Sequence, residues 1–320
     1  MRRLTKALLV IALLPAPLYA QIQDSAQTLI EQMGTRAKSL NYKGYFTFER
    51  GSQSTSYFIA HRVDDGEQRQ RLFFMDGPEE EVVIDGHGVN CLHPGDKAKR
   101  VSSEDVQSLL ALSQPKAGIW EHYEAETVGK ARIANRITTK VLLKPKDTYR
   151  YPFVFFIDNE TGLMLKMLIL DQQGYPLERF HYVMIEYNDV SAEDVAPVLE
   201  SARTITHVKK DSVQEKTAEK LWELRWIPEG FHEESAFMKT DHSQAFDEAH
   251  MYTDGLSAFS LYVEPVTNAL SQQGTSKQLG STAAVSHYVS VGDQVFLVTV
   301  IGEIPVTTAR QIAASVKLKP

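Results

Sequence analysis

The residues best suited to bind a metal ion are His87, Cys91 and His93, which lie close together in the chain. Cys91 and His93 have the spacing of one strand face, and thiolate and imidazole are both zinc ligands. A structural zinc site needs a fourth ligand, and a catalytic one needs an open position with groups that orient the ligands. The neighbouring sequence supplies neither, so we predict no metal site. We expect Cys91 to be a small buried hydrophobic residue.

Catalytic motifs are the next candidates for chemistry. The chain contains no G-x-S-x-G, H-E-x-x-H, Walker or G-x-G-x-x-G sequence. His61 shares a strand face with Tyr57 and Ile59, which predicts a buried, hydrogen-bonded histidine and leaves a pH-sensing role as the second interpretation. The missing motifs favour binding over catalysis, although a catalytic site can also assemble from scattered residues.

Residues 1–20 have the organisation of a secretory signal peptide. Basic residues at 2, 3 and 6 precede the apolar run 7–14, and Ala20 is the small residue expected before the cleavage point. The run is too short to span a bilayer as a helix. Without these residues the chain holds 31 basic and 41 acidic residues, a net charge of −10. We therefore predict an exported protein that binds no nucleic acid, because an acidic chain is a poor binder of phosphate backbones.

The mature chain opens with a helical pattern and then changes to a strand pattern. Asp24 and Gln27 have capping-box spacing, and the apolar residues up to Leu40 recur on one helical face. From Tyr42 the apolar period is two, with turn signals such as Asp76-Gly77-Pro78 between strands, and a second helix is predicted over 103–112. Without strand–helix–strand alternation, these elements favour one curved antiparallel sheet with helices packed against it.

A boundary between two domains is predicted near 191–219, where the strand rhythm stops and the chain becomes polar. Beyond it, hairpin signals at Asp254-Gly255 and Gly292-Asp293 precede a terminal helical pattern. We predict a larger domain over 21–195, a linker over 196–219 and a small α+β domain over 220–320.

Several short strings identify a family when they are taken together. In chain order they are SLNY at 39–42, MDGP at 75–78 with EVV at 81–83, RIANR at 132–136, LDQQGYPLERF at 170–180, WIPEGF at 226–231, YTDGLSAFS at 252–260 and GEIP at 302–305. Through this ordered set the mature chain resembles, from end to end, the RseB/MucB family of periplasmic regulators of the sigma-E envelope-stress pathway. Cys91 is not part of the pattern, so the resemblance assigns it no role.

The resemblance implies a fold and a function. The fold is α+β: a large N-terminal unclosed antiparallel β-barrel with helices, similar to the carriers LolA and LolB, and a smaller α+β C-terminal domain. The function is that of a periplasmic negative regulator, which binds the periplasmic part of the anti-sigma factor RseA and shields it from the protease DegS. Lipopolysaccharide or another lipid would release RseA. We expect neither enzyme activity nor a cofactor, and the sequence leaves homo-oligomers open.

The resemblance also suggests where ligands would bind. Acyl chains in the concave side of the barrel would gain about 0.8 kcal/mol per buried CH₂ group. Strand alternation gives the expected lipid-facing residues as Phe46, Phe48, Tyr57, Ile59, Phe73 and Met75. A register error of one residue would turn such side chains outward.

Contacts with the anti-sigma factor are expected on the small domain and the interdomain cleft. The candidates are Tyr252, Leu256 and Phe259, with a plain core position as the alternative for Phe259. Two other functions stay open. A LolA-type lipid or lipoprotein carrier would not need residues 220–320, and an exported hydrolase would use scattered acids and histidines.

Overall fold

The computed structural model describes residues 18–85, 88–92, 118–199, 205–207, 222–238, 248–266, 274–292 and 294–318. The helix predicted at 103–112 lies outside these ranges, as do His87 and His93. Cys91 is described through its backbone alone, as part of a strand.

The described residues form two α-helices, one 3₁₀ helix and nineteen strands. The helices are α1 Leu18–Ser39, the 3₁₀ helix Ile119–Glu121 and α2 Val306–Ser315. The strands of the first part are β1 Tyr42–Arg50, β2 Gln53–Asp64, β3 Glu67–Phe74, β4 Glu81–Asp85, β5 Gly88–Leu92, β6 Tyr123–Ile133, β7 Arg136–Pro145, β8 Phe153–Asp158, β9 Met164–Leu170, β10 Pro176–Tyr187 and β11 Ile205–His207. The strands of the second part are β12 Trp222–Leu224, β13 His232–Met238, β14 Glu248–Thr253, β15 Ala258–Val266, β16 Ser276–Leu279, β17 Thr282–Val291, β18 Gln294–Gly302 and β19 Val316–Leu318.

The large domain is one antiparallel sheet made from two meanders. Its strand order is β11-β5-β4-β3-β2-β1-β10-β9-β8-β7-β6, so β1 and β10 join the meanders at the centre. In the described part of the chain β11 and β6 stay unpaired at the two edges, and the sheet is not closed. This confirms the expected large unclosed antiparallel sheet. Strand β11 lies inside the segment predicted as a linker.

Helix α1 supplies part of the core of the large domain. Ala26, Ile30 and Met33 are fully buried on one face of α1, which packs against β6. The predicted apolar stripe is therefore confirmed. The predicted start at a capping box on Asp24 is wrong, because the backbone is already helical from Leu18. No glycine or proline between 18 and 24 would break that helix.

The small domain contains a six-stranded sheet of order β13-β14-β15-β18-β17-β16 and the pair β12-β19. Helix α2 packs on β17 and β18 and buries Ala309, Ile312 and Ala313. The predicted hairpin at Asp254-Gly255 joins β14 to β15, which confirms it. Together the two sheets and their helices confirm a two-domain α+β fold.

His61 fills a polar position inside the large domain. It is 3% exposed, its Nδ1 lies 2.7 Å from the carbonyl oxygen of Leu40, and its ring stacks on Tyr42 at 5.1 Å. Burial lowers the pKa of His61, because a charged imidazole loses its hydration there. The predicted buried, hydrogen-bonded histidine is confirmed.

The lowered pKa of His61 predicts a pH-dependent stability. As the pH falls through the ordinary histidine pKa of 6.5, the unfolded chain takes up a proton that the folded chain refuses. The wild type should therefore have its full free energy of unfolding above that pH, and this free energy should decrease below it. Replacing His61→Gln should flatten this decrease in urea titrations repeated across the range. His232→Gln is the matched control at an exposed position, and an equal slope in wild type and His61→Gln would contradict the prediction.

Candidate functional site

Four of the six residues expected to face lipid lie on the face of the large sheet that packs with α1, which is called the concave face below. Phe46, Phe48, Tyr57 and Ile59 are all between 3% and 8% exposed and belong to one core cluster with α1. Phe46 and Tyr57 are opposite each other on β1 and β2, and their rings stack at 4.8 Å. The alternation that placed these four side chains on one face is confirmed, whereas their role in lipid binding stays a prediction.

The placement of Phe73 and Met75 on the same face is wrong. Phe73 is paired with Phe58, and directly opposed residues project to the same side of a sheet. Phe74 is instead the residue opposite Tyr57, so Phe73 projects to the outer face. Arg71 covers it there, with Cζ 5.6 Å from the ring. Met75 follows the end of β3 and is 51% exposed. The cause is a shift of one residue in the assumed alternation.

A buried arginine connects the two domains. The Arg150 side chain is fully buried, and its Nε donates to Oδ2 of Asp254 at 2.6 Å. Its terminal nitrogens donate to the carboxylate of Asp147 and to the backbone oxygen of Glu229. Its Cζ also lies 4.8 Å from the centre of the Phe231 ring. Asp254, Glu229 and Phe231 belong to the second part of the chain, so this one guanidinium binds both domains.

Asp254 uses its two carboxylate oxygens for different tasks. Oδ1 accepts the backbone N–H groups of Leu256 and Ser257, which fixes the β14–β15 turn. Oδ2 accepts Arg150 and the hydroxyl of Tyr123 at 3.1 Å. Burial, and then the charge of Asp254, raises the pKa of Tyr123. Tyr123 therefore stays protonated and donates to the carboxylate.

A second buried carboxylate lies at the same interface. Glu178 on β10 is 2% exposed and accepts Arg50 Nε at 2.8 Å. It also accepts the backbone N–H and the hydroxyl of Ser281, between β16 and β17, at 3.1 Å and 2.9 Å. Burial, and then the charges of Asp171 and Glu178, raise the pKa of Tyr151 to about 12. The Tyr151 hydroxyl therefore stays neutral and accepts Gln278 Nε2 at 3.2 Å.

Two glycines allow the domains to approach closely. Gly230 has φ +89°, and a Cβ there would lie 2.1 Å from Nε2 of His122. Gly280 has φ +59°, and a Cβ there would lie 2.5 Å from Cγ of Arg50 and 2.7 Å from Oε1 of Glu178. Both positions combine a backbone conformation that favours glycine with a lack of space for a side chain.

The three residues expected to contact the partner are all buried. Tyr252 and Phe259 stack at 5.0 Å in the core of the small domain, which confirms the core alternative for Phe259. Leu256 is 8% exposed and packs into the hydrophobic core of the large domain. None of the three offers a free surface. Partner contact through Leu256 would require the domain interface to open, whereas Tyr252 and Phe259 belong to the core of the small domain itself.

The described part of the chain contains neither a metal-binding cluster nor a membrane-spanning helix. No three His, Cys, Asp or Glu residues among the described ranges could together hold a metal ion. Among the same residues, no helix is long and apolar enough to cross a bilayer.

Comparison with known proteins places the chain in a family. The model of the MucB/RseB N-terminal domain matches residues 25–210, and that of the MucB/RseB C-terminal domain matches 216–317. The chain belongs to the MucB/RseB family. It is 31% identical over 318 residues to the sigma factor AlgU regulatory protein MucB of Pseudomonas aeruginosa, covering 98% of both chains. It is 28% identical over 305 residues to the sigma-E factor regulatory protein RseB of Escherichia coli K12, covering 93% of this chain and 92% of RseB.

Solved MucB structures share the fold of this MucB/RseB-family chain. A crystal structure of MucB in complex with MucA(peri) matches 92% of this chain and 99% of MucB, with 27% identity and a TM-score of 0.75. A Pseudomonas aeruginosa MucA/MucB complex matches with the same coverage, 28% identity and a TM-score of 0.77. Both matches extend over the two domains.

Local sequence pattern does not reveal the interface residues of this MucB/RseB-family chain, although several of them lie in the strings that identify the family. Glu178 lies in LDQQGYPLERF, Glu229 and Phe231 in WIPEGF, and Asp254 in YTDGLSAFS. Asp254 was interpreted only as a turn residue. Its partner Arg150 is 104 residues away, and no local pattern could join them.

The Arg150–Asp254 pair predicts strong coupling in a double-mutant cycle. Arg150→Met or Asp254→Asn alone should lower the free energy of unfolding by about 3–5 kcal/mol, because each removes one partner of a buried ion pair. The double variant should lose much less than the sum of the two, as measured by urea denaturation. Arg225→Met, which removes an exposed ion pair with Glu223, is the control and should change stability by less than about 1 kcal/mol. Additive losses would contradict the pairing.

Proposed function

We propose that this chain is a periplasmic negative regulator that binds the periplasmic part of a MucA- or RseA-type anti-sigma factor. One observation carries the proposal: the chain matches MucB over both domains in complexes with MucA, with TM-scores of 0.75 and 0.77. Relatives named as regulatory proteins of AlgU and sigma-E support the same role. By binding the anti-sigma factor, the chain would shield it from a DegS-type protease.

The domain interface gives this role a physical basis. A partner that spans both domains would recognise the distance and angle between them. Arg150 fixes that geometry through its buried ion pair with Asp254, and Glu178 fixes it by accepting the backbone N–H and the hydroxyl of Ser281. A change in domain position would therefore alter the partner surface as a whole.

Lipid is proposed as the releasing signal, and the concave face as its site. Phe46, Phe48, Tyr57 and Ile59 are already buried, so an acyl chain must displace side chains or α1 before it can enter. Each CH₂ group that enters contributes about 0.8 kcal/mol, which offsets that displacement only for long chains. Leu256 packs in the same core, so lipid entry would also loosen the hairpin that holds Asp254. This connection would couple lipid binding to partner release.

The lipid site is tested with two phenylalanines of opposite orientation. Phe48→Asp should raise the lipopolysaccharide concentration that releases the partner at least tenfold, because it places a charge where hydrocarbon must lie. Phe73→Asp is the matched control on the outer face and should leave that concentration unchanged. Release is measured by fluorescence anisotropy of the labelled periplasmic domain of the anti-sigma factor, and thermal melting shows that each variant is folded. Equal behaviour of the two folded variants would remove the concave face as the sensor.

A LolA-type carrier is the second candidate, because its cargo site would be the same apolar face. Leu256 disfavours it, since the small domain inserts a side chain into the core that would have to hold cargo. Transfer of a lipoprotein between membranes by the full chain would support the carrier. Light scattering of the chain alone and with its partner gives the stoichiometry, and this measurement also tests homo-oligomers.

Residues 1–20 are proposed to be a signal peptide that is removed on export to the periplasm. The protein recovered from the periplasm should therefore begin at Gln21, and intact-mass spectrometry measures this directly. Ala20→Arg should block cleavage, because the cleavage site needs a small residue there. A periplasmic product that retains Met1 would contradict the proposal.

A further inference from the structure

The outer face of the large sheet carries a row of cationic and aromatic residues. The strand register aligns Lys140 on β7, Phe156 on β8, Lys166 on β9 and His181 on β10 directly across four neighbouring strands. The amino nitrogens of Lys140 and Lys166 lie 5.9 Å and 5.3 Å from the centre of the Phe156 ring. One aromatic ring therefore holds two ammonium groups near each other by cation–π attraction.

The two lysines of this row have no carboxylate partner among the described residues. In the described ranges neither Lys140 nor Lys166 forms an ion pair, and Glu49 binds Arg179 at 3.1 Å. Burial, and then the charges of Arg179 and Lys140, lower the pKa of Lys166. Burial, Lys166 and Arg179 likewise lower the pKa of His181. The cations therefore repel one another, with Glu49 as the opposing charge that faces both groups.

Exposed apolar side chains adjoin the row on the same face. A bulge in β10 opposite Tyr45 brings Val183 and Met184 outward. Val183 is 61% exposed, Met184 44% and Tyr45 37%. His181 separates them from Lys166 along the sheet. The surface thus combines unpaired cations with protruding hydrocarbon.

We propose that this basic face, formed by Tyr45, Lys140, Lys166, Arg179, Val183 and Met184, binds the surface of a bilayer that contains anionic phospholipids. The surface of an anionic bilayer binds cations at the level of its headgroups and apolar side chains at the boundary with its acyl chains. The whole chain carries a net charge of −7, so an anionic surface repels most of the molecule and selects this face.

An acidic peptide is the other occupant that the charge would allow, and the sheet topology disfavours it. Strands β1, β7, β8, β9 and β10 are each paired on both sides, so they offer no free edge for an added strand. The proposed bilayer contact goes beyond the proposed function, because it uses the outer face and no acyl chain enters the core.

Sedimentation of the full mature chain with vesicles tests the proposal without any partner protein. Binding to phosphatidylcholine vesicles that contain phosphatidylglycerol should weaken as salt is added. Lys140→Gln/Lys166→Gln should reduce the affinity roughly 25-fold, from about 1 kcal/mol per cation near the surface. Lys130→Gln/Lys317→Gln removes the same charge at two exposed positions away from this face and should bind like wild type.

A separate variant tests the apolar part of the basic face. Val183→Ser/Met184→Ser changes two exposed positions and should weaken vesicle binding without altering the melting temperature. Pure phosphatidylcholine vesicles offer the same acyl chains without net charge, so binding to them at equal strength would overturn the proposal and point to acyl-chain uptake. An equal loss of vesicle affinity in Lys140→Gln/Lys166→Gln and in Lys130→Gln/Lys317→Gln would also overturn it. Binding of polyglutamate through Lys140 and Lys166, with none to vesicles, would replace the bilayer by an acidic polypeptide.

Discussion

The guanidinium of Arg150 is the group on which the relation between the two domains depends. A fully buried cation is tolerated only where anions and carbonyl oxygens surround it. Asp147 supplies one anion from the large domain, and Asp254 and the Glu229 carbonyl complete the shell from the small domain. Separation of the domains would leave Arg150 with Asp147 as the one partner that remains of these three. The small domain therefore completes the polar shell around Arg150.

The β14–β15 turn transmits this constraint to the concave face. Asp254 binds Arg150 and also fixes the backbone of Leu256, whose side chain packs in the large hydrophobic core. A disturbance of that core reaches the buried ion pair through Leu256 and Asp254, two positions apart in one turn. No long chain of contacts is required, because one turn contacts both the core under the concave face and the interdomain anchor Arg150. Under the proposed function, this short connection is where lipid binding and partner binding compete.

The local sequence pattern was sufficient to predict most of the fold. The period-two alternation and turn chemistry predicted the strands and the Asp254-Gly255 hairpin, since these depend on neighbours in sequence. Alternation fails at Phe73, because the face to which each β3 side chain projects is set by the register of β3 with β2. The interface was not predictable, because Arg150, Glu178 and Asp254 look like ordinary surface residues until distant strands bring them together. The basic face was not predictable for the same reason. Lys140, Lys166 and the neighbouring His181 come together only when strands β7–β10 pair.

The polar character of the interface determines how it can open. An interface made only of apolar groups would expose hydrocarbon on separation and favour collapse or aggregation. Here much of the contact consists of charged groups, and water can solvate Arg150, Asp254, Glu178 and Arg50 once the domains part. The interface is thus specific when closed, because a buried ion pair tolerates little misalignment. It is also less costly to hydrate when open than an apolar surface of equal area. Leu256 is the apolar exception at the turn, and its burial in the large core is what opening must undo.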